Sequence, residues 1–433
     1  MAESVGRRDF LTRVALGGAS AAFLPSVVWA RQFKPLDVPT FKVPAAASDE
    51  AVFAAARKEF LFPADVTYGN TGTLGASPRE VVATLTRGTE RLERELPDWP
   101  YFQADGEPLT GYQPLVDIRG RIAALVNASG DEVALTTNAT MGMSFLANGL
   151  DLAAGNEVVT TDQEHSGGIG GWQLRAKRHS IVVKQVPVLD AATKGPEAIV
   201  AQFAEAITPN TKVVMFSQIT SGLGMLLPAK ALCALAHDRG ALAIVDGAQV
   251  LGQRRVDVKD LGCDAYVTSP HKWMLAPKGT GILYIKRSVQ ARFWNTLASA
   301  AFDDDSTGAF RFMHYGTGSV PVVEALVAAV DFMTGIGLER IERWDLALAN
   351  RLRDGLARIP QARLSSPADR RFATAITTFA VAGKTGRELQ DALWAKKIRV
   401  RAQGGDRGVR LSAHLYVSPT DIDHVLEVVS TMK

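Results

Sequence analysis

Only two cysteines occur in 433 residues, which excludes a disulfide framework, and neither has the spacing of a metal ligand. Cys233 falls inside an apolar helical pattern and Cys263 just ahead of a strand, so both are expected as free, buried thiols. Charge of one sign is missing as well. There are 48 basic and 45 acidic residues, for a net charge of +3, and no long run of either sign. A nucleic-acid footprint needs a clustered basic face, and none is present. The small group Arg175, Lys177 and Arg178 reads as a solvated helix face. No Walker loop, zinc motif, Gly-x-Ser-x-Gly elbow or internal repeat is found. The glycines at 167–171 lack the full spacing of a dinucleotide-binding loop. Long apolar runs are absent too, so the mature chain is not expected to enter a bilayer.

What is present is an ordinary globular composition, 47% hydrophobic and 21% charged, with length for two or three domains. The first 30 residues stand apart. Gly6-Arg7-Arg8-Asp9-Phe10-Leu11 reads as a twin-arginine export signal. Residues 14–24 form an apolar stretch too short to span a membrane, and Val28-Trp29-Ala30 suits signal peptidase. The expectation is export of the folded chain by the twin-arginine machinery to the periplasm. Residues 31–48, with Pro35, Pro39 and Pro44, read as an extended arm or linker.

Beyond the arm, apolar runs of strand length alternate with helical patterns. Helices are expected over 51–59, 80–96, 111–126, 196–207 and 229–240. Strand-like runs cover 132–137, 156–162, 180–188, 212–217, 264–268 and 280–285, and another ends at Asp246. Such alternation points to a parallel α/β sheet. An apolar helix over 321–335 leaves this part. The remainder reads as a small α+β domain: a long helix over 339–359, strands over 374–381, 397–402 and 408–412, and a closing helix over 421–432.

Polar residues gather where these strands end, which is where open α/β sheets bind ligands. Val245-Asp246 closes one strand. Ser269-Pro270-His271-Lys272-Trp273 leaves the next, followed by Ala276-Pro277-Lys278-Gly279-Thr280-Gly281. A carboxylate and a lysine at such ends suit pyridoxal phosphate, the lysine as Schiff-base partner and the aspartate on the pyridinium nitrogen. The sequence Asn138-Ala139-Thr140-Met141-Gly142 opens a helix after a strand, and unpaired N–H groups at a helix start hold a phosphate. His165 follows a strand, as does Ser221. Tyr68-Gly69-Asn70-Thr71-Gly72-Thr73 is a glycine-rich loop where the backbone can approach a ligand closely.

Asp246-Gly-Ala-Gln249, Ser-x-His-Lys272-Trp and Ala-Pro-Lys-Gly-x-Gly together resemble the class V aminotransferase superfamily, and most of all its isopenicillin N epimerase-like branch. The resemblance implies a fold type I architecture. A mostly parallel, mixed seven-stranded sheet in a three-layer α/β/α large domain spans residues 61–335, with a small α+β domain over 336–433. An arm over 31–60 joins the small domain. It implies pyridoxal phosphate held by Lys272 and Asp246, with His165 stacked on its ring. Asn138, Ala139, Thr140, Ser269 and His271 would hold the phosphate, and Ser221 and Gln249 would lie near the phenolic oxygen. Arg410, in Arg410-Leu-Ser-Ala-His-Leu-Tyr416, would grip a substrate α-carboxylate, with Asn70 and Thr73 beside it. Thr317, in Gly316-Thr317-Gly318, would reach the phosphate of a neighbouring subunit, making a homodimer with shared sites. No metal is implied.

The substrate implied is an amino acid or the amino group of a peptide-like metabolite, with transamination or epimerisation as the reaction. A lyase, or a secreted binding protein that keeps the fold without catalysis, stands as the alternative. A persulfide-forming desulfurase is disfavoured, because the loop at 403–408 carries no cysteine.

The leader can be tested directly. Replacing Arg7 and Arg8 by Lys is expected to leave active precursor in the cytoplasm, measured by fractionation. Undiminished periplasmic activity would refute the twin-arginine assignment.

Overall fold

The computed structural model describes residues 38–44, 47–96, 115–299 and 302–432. The export signal, half of the proline-rich stretch and the start of the helix expected over 111–126 lie outside these residues.

A seven-stranded sheet forms the centre. Its strands lie in the order Val133–Thr136, Gly281–Ile285, Ala265–Thr268, Leu242–Asp246, Thr211–Ser217, Glu157–Thr161, Val182–Val186. Only Gly281–Ile285 runs against its neighbours, so the sheet is mixed and mostly parallel. The central strands are buried on both faces: every residue of Leu242–Asp246 and Ala265–Thr268 is buried. That is why their sequences are near-continuous apolar runs rather than alternating ones. Helices cover both faces. Ala139–Gly149 packs on Ser166–His179 on one side, and Ala229–Asp238 lies against the strand Leu242–Asp246 on the other. The fold is the expected α/β architecture.

The C-terminal part carries a four-stranded antiparallel sheet of Arg401–Ala402, Val409–Ser412, Ile376–Val381 and Ala362–Leu364. Around it are the helices Leu338–Leu356, Gly386–Trp394 and Pro419–Ser430. Two local details depart from the sequence reading. The single strand expected over 397–402 divides at Val400. Ile398–Arg399 pairs in parallel with Thr67–Tyr68, and Arg401–Ala402 turns to pair with Val409–Ser412. The helix Gly386–Trp394 was not expected, although its start is marked: Thr385 and Glu388 form a reciprocal capping box.

Arg175 is a correction. It is buried, and donates to the carbonyls of Asn148 and Leu150, each at 3.1 Å. It closes the carboxyl end of a neighbouring helix rather than lying on a solvated face. The cysteines are free and buried, as expected.

The two parts of the molecule are joined around one loop. Gly69 accepts from the Ser412 N–H at 2.7 Å, and the Gly75 N–H donates to the His271 carbonyl at 3.0 Å. The loop between them therefore runs from the small sheet to the turn that carries Lys272. A β-carbon on Gly75 would stand 1.8 Å from the Lys272 carbonyl oxygen, so only glycine fits. From the other side, His414 Nε2 donates to the Trp273 carbonyl at 2.8 Å, and His414 Nδ1 meets Asp345 at 2.6 Å. A carbonyl only accepts, so Nε2 carries a proton. Burial pushes the Asp345 carboxyl up to about 6, and the neighbouring His414 opposes the rise.

Candidate active site

The sheet strands that run parallel point their carboxyl ends at one edge, and a cavity of about 550 Å³ opens there. Each end delivers chemistry. The strand Val133–Thr136 leads to Asn138, Ala139 and Thr140, all of which line the cavity. Glu157–Thr161 leads to His165, and Thr211–Ser217 to Ser221. Leu242–Asp246 ends in Asp246 itself, with Gln249 three residues on. Ala265–Thr268 leads to Ser269, His271 and Lys272. The small domain closes the cavity with Arg410, and the glycine-rich loop with Thr73.

Two expected residues stand back from it. Asn70 accepts from the Thr73 hydroxyl at 2.8 Å, and so positions that side chain from behind. Thr317 is exposed in the loop before the helix Val320–Ile336 and does not line this chain's own cavity.

Asp246 is only 5% exposed. Its Oδ1 accepts from the Ala248 N–H at 2.9 Å, while Oδ2 has no donor among the described residues. Burial raises the pKa of this carboxyl, and the nearby Lys272 and His165 oppose the rise. Lys272 shows the complementary shift: burial lowers its amine to about 8, against the pull of Asp246. A buried carboxylate oxygen without a donor and an amine near neutrality are matched to a cationic ring N–H and an aldehyde. At the other wall, the start of the helix Ala139–Gly149 is partly satisfied. The Ala139 N–H donates to Ser269 Oγ at 3.0 Å and the Met141 N–H to Asn138 Oδ1 at 2.8 Å. The Thr140 N–H has no partner among the described residues, and its hydroxyl adjoins the cavity beside it. The donor set therefore fits the pyridine ring, the aldehyde and the phosphate of pyridoxal phosphate.

Histidine geometry is equally specific. His165 Nδ1 accepts from the Gly167 N–H at 3.0 Å, capping the helix Ser166–His179. Burial, and then Lys272, lower its pKa, so the ring is a neutral plate protonated at Nε2. His271 Nδ1 donates to the Thr280 carbonyl at 2.9 Å, which leaves Nε2 to face the cavity.

Gln249 does more than its sequence position indicates. Its Nε2 donates to the Gly72 carbonyl and its Oε1 accepts from Trp273 Nε1, both at 2.8 Å. It ties the glycine-rich loop to the lysine turn. The Ser221 carbonyl accepts from Arg410 at 2.7 Å, and the Thr73 hydroxyl accepts from the same guanidinium at 2.6 Å. These bonds aim the guanidinium and leave Arg410 Nε without a partner.

Sequence reasoning passed over three residues. Glu164 accepts from the Ser217 hydroxyl and N–H at 2.6 and 3.0 Å and from the Thr161 hydroxyl at 2.6 Å. Burial pushes its carboxyl up to about 7. A β-carbon on Gly168 would stand 2.8 Å from Asp246 Oδ2 and 4.0 Å from Glu164 Oε2, so glycine lets the two acids share one corner. The only early signal was adjacency to His165. Arg401 and Gln403 also line the cavity. Their signal was the edge strand opposite Arg410, invisible until strands are paired.

Comparison with known proteins agrees with this geometry. The family model described as aminotransferase class-V matches residues 111–425. Isopenicillin N epimerase of Amycolatopsis lactamdurans is 28% identical over 400 residues, covering 88% of this chain and 98% of that protein. A probable cysteine desulfurase of Synechocystis sp. is 33% identical over 281 residues, covering 61% of this chain and 65% of that one. Among solved structures, a lysine-to-alanine mutant of C-DES with glycine covalently linked to its PLP cofactor superposes with a TM-score of 0.77. It is 23% identical, covering 87% of this chain and 99% of that one.

Lys272→Ala is expected to abolish borohydride-fixed cofactor and the absorbance of the lysine-bound form. The fold should persist, since such a truncation costs at most ~3 kcal/mol. Full stoichiometric fixation in the variant would transfer the role to another lysine. Lys278, bonded to Ser77 at 3.1 Å outside the cavity, is the first to examine.

Proposed function

The chain belongs to the class V aminotransferase family, a pyridoxal phosphate-dependent family, and from that premise we propose an enzyme that moves the α-proton of an amino acid. The amino acid is free or forms the amino end of a peptide-like metabolite, and the reaction is epimerisation or transamination. The observation that carries this reading is the meeting of Lys272, Asp246 and Arg410 in one cavity. Epimerisation is preferred, because isopenicillin N epimerases are matched over 97–98% of their length.

Bound in the cavity, pyridoxal phosphate supplies an electron sink for the pair left behind when an α-C–H bond breaks. The protein supplies the rest. Arg410 holds the substrate α-carboxylate through the N–H edge of its planar fork. Asp246 keeps a proton on the ring nitrogen through Oδ2. The Lys272 amine, lowered to about 8 by burial, is close enough to neutrality to take the proton from the α-carbon; its return from Lys272 restores the starting configuration, and inversion requires a proton delivered to the opposite face. His271 and Thr140 with its N–H hold the phosphate, and the neutral His165 supports the ring.

Persulfide chemistry is not supported. It needs a nucleophilic thiol at the substrate, and no cysteine lines the cavity. Both thiols are buried elsewhere, and burial pushes that of Cys233 up to about 12, so almost none is thiolate at neutral pH.

Incubating the holoenzyme with L-amino acids in D2O separates the outcomes. Epimerisation predicts α-deuterium together with growth of the opposite enantiomer, read by NMR and chiral chromatography. Keto acid without free ammonia marks a transaminase, and keto acid with ammonia a lyase. If no amino acid exchanges its α-proton, the proposal fails.

The working enzyme is proposed to be an exported homodimer. Gly316-Thr317-Gly318 is an exposed turn where glycines let backbone and hydroxyl approach an anion, and it does not serve its own cavity. Mixing Lys272→Ala with Thr317→Val subunits is the test. In a mixed dimer with shared sites, one site carries both lesions and the other neither. Activity should climb toward half of wild type in the heterodimer fraction. Heterodimers that form and stay inactive would place Thr317 outside a shared site.

A further inference from the structure

We propose that Arg401 forms a second anion subsite beside Arg410, so that the substrate is an amino acid bearing another acidic group beyond its α-carboxylate. This rests on the amino-acid reading of the same cavity. Arg401 and Arg410 stand directly opposite each other on antiparallel strands. Residues opposite in an antiparallel pair project from the same face of the sheet, and here both line the cavity. Like charges placed so destabilise a sheet unless an anion compensates them. Among the described residues no carboxylate pairs with either guanidinium.

The charge balance of the cavity makes the same point. Among the described residues Asp246 is its only lining carboxylate, and it lies at the end of a large-domain strand, bordered by Glu164 rather than by the arginines. The cofactor consumes the charge at that end. Asp246 would hold its ring nitrogen, Lys272 its aldehyde and the helix start its phosphate. Arg401 and Arg410 remain. One α-carboxylate matches one guanidinium and leaves the other facing the cavity without an anion. Arg410 is the anchored member, 5% exposed and held by Ser221 and Thr73. Arg401 is exposed on the edge strand and free to follow a longer acidic arm. Its backbone is fixed, however. The Ala402 N–H donates to Gln390 Oε1 at 2.8 Å, and the Gln403 amide folds back on the Ala402 carbonyl at 3.2 Å. The strand is therefore presented to the cavity rather than swinging with the loop. Consistent with two unneutralised cations, burial and then the field of Arg401 lower the pKa of Arg410 to about 10.

The probes are L-glutamate and L-2-aminoadipate against their neutral counterparts, L-glutamine and L-norleucine. The readout is the dissociation constant from the change in cofactor absorbance, so turnover is not required. In the wild-type holoenzyme the diacids should bind about tenfold or more tightly than the neutral compounds, the scale of a charge-assisted bond. In Arg401→Gln that gap should shrink below about threefold, with affinity for the neutral compounds unchanged. Arg410→Gln should weaken all four. Equal binding of diacids and neutral compounds by wild type overturns the proposal. So does a gap that survives in Arg401→Gln, which would assign the discrimination to another group. If no amino acid of either kind moves the spectrum, the amino-acid reading itself fails and the subsite falls with it, a result distinct from equal binding.

Discussion

The site depends on how the backbone around Lys272 is held. The turn leaves a buried central strand and is gripped from three directions. The glycine-rich loop presses Gly75 against the Lys272 carbonyl, where no β-carbon fits. Gln249 bonds the Trp273 indole and, through its other end, the loop carbonyl at Gly72. His414 of the small domain bonds the Trp273 carbonyl and is itself held by Asp345. All these groups are buried or nearly so, and a buried polar group without its partner costs far more than the bond contributes. The arrangement is therefore cooperative. Large domain, small domain and loop meet on the residues flanking the reactive amine, which holds the lysine backbone in place.

A second constraint is electrostatic. The cavity has an acidic corner, with Asp246 next to Glu164, and a basic wall formed by Arg410 and Arg401. Lys272 lies between and is influenced by both: Asp246 raises its pKa and Arg410 lowers it, with burial the largest influence. In a half-enclosed space these fields act at reduced screening, so a bound molecule meets a fixed orientation before any bond forms. A zwitterionic amino acid has the opposite polarity to the basic wall at its carboxylate.

Much of this was legible in the sequence, for identifiable reasons. Buried parallel strands require apolar runs, and the residue ending each run is placed by chain continuity alone. Asp246, His165, Ser269 and Lys272 could be read in that way, and Thr140 from the helix start that follows a strand. Glu164 could not, since its importance comes from the neighbouring Ser217 and Asp246 on other strands. Arg175 was misread because a basic cluster on a helix usually faces water. Here one member of it turns inward to the carbonyls of Asn148 and Leu150.

The sequence by itself determined the alternation of strands and helices, the strand-end chemistry and the type of cofactor, because each is encoded within a few consecutive residues. The tertiary structure decided which of those ends share a cavity, that Gln249 and His414 lock the lysine turn, and that Arg401 faces the same space as Arg410. Each of these rests on the pairing of distant segments. The strand at 397–402 shows the difference. Its residues read as one strand, and only the competition between two partner strands for its backbone hydrogen bonds splits it at Val400 and turns Arg401 toward the site.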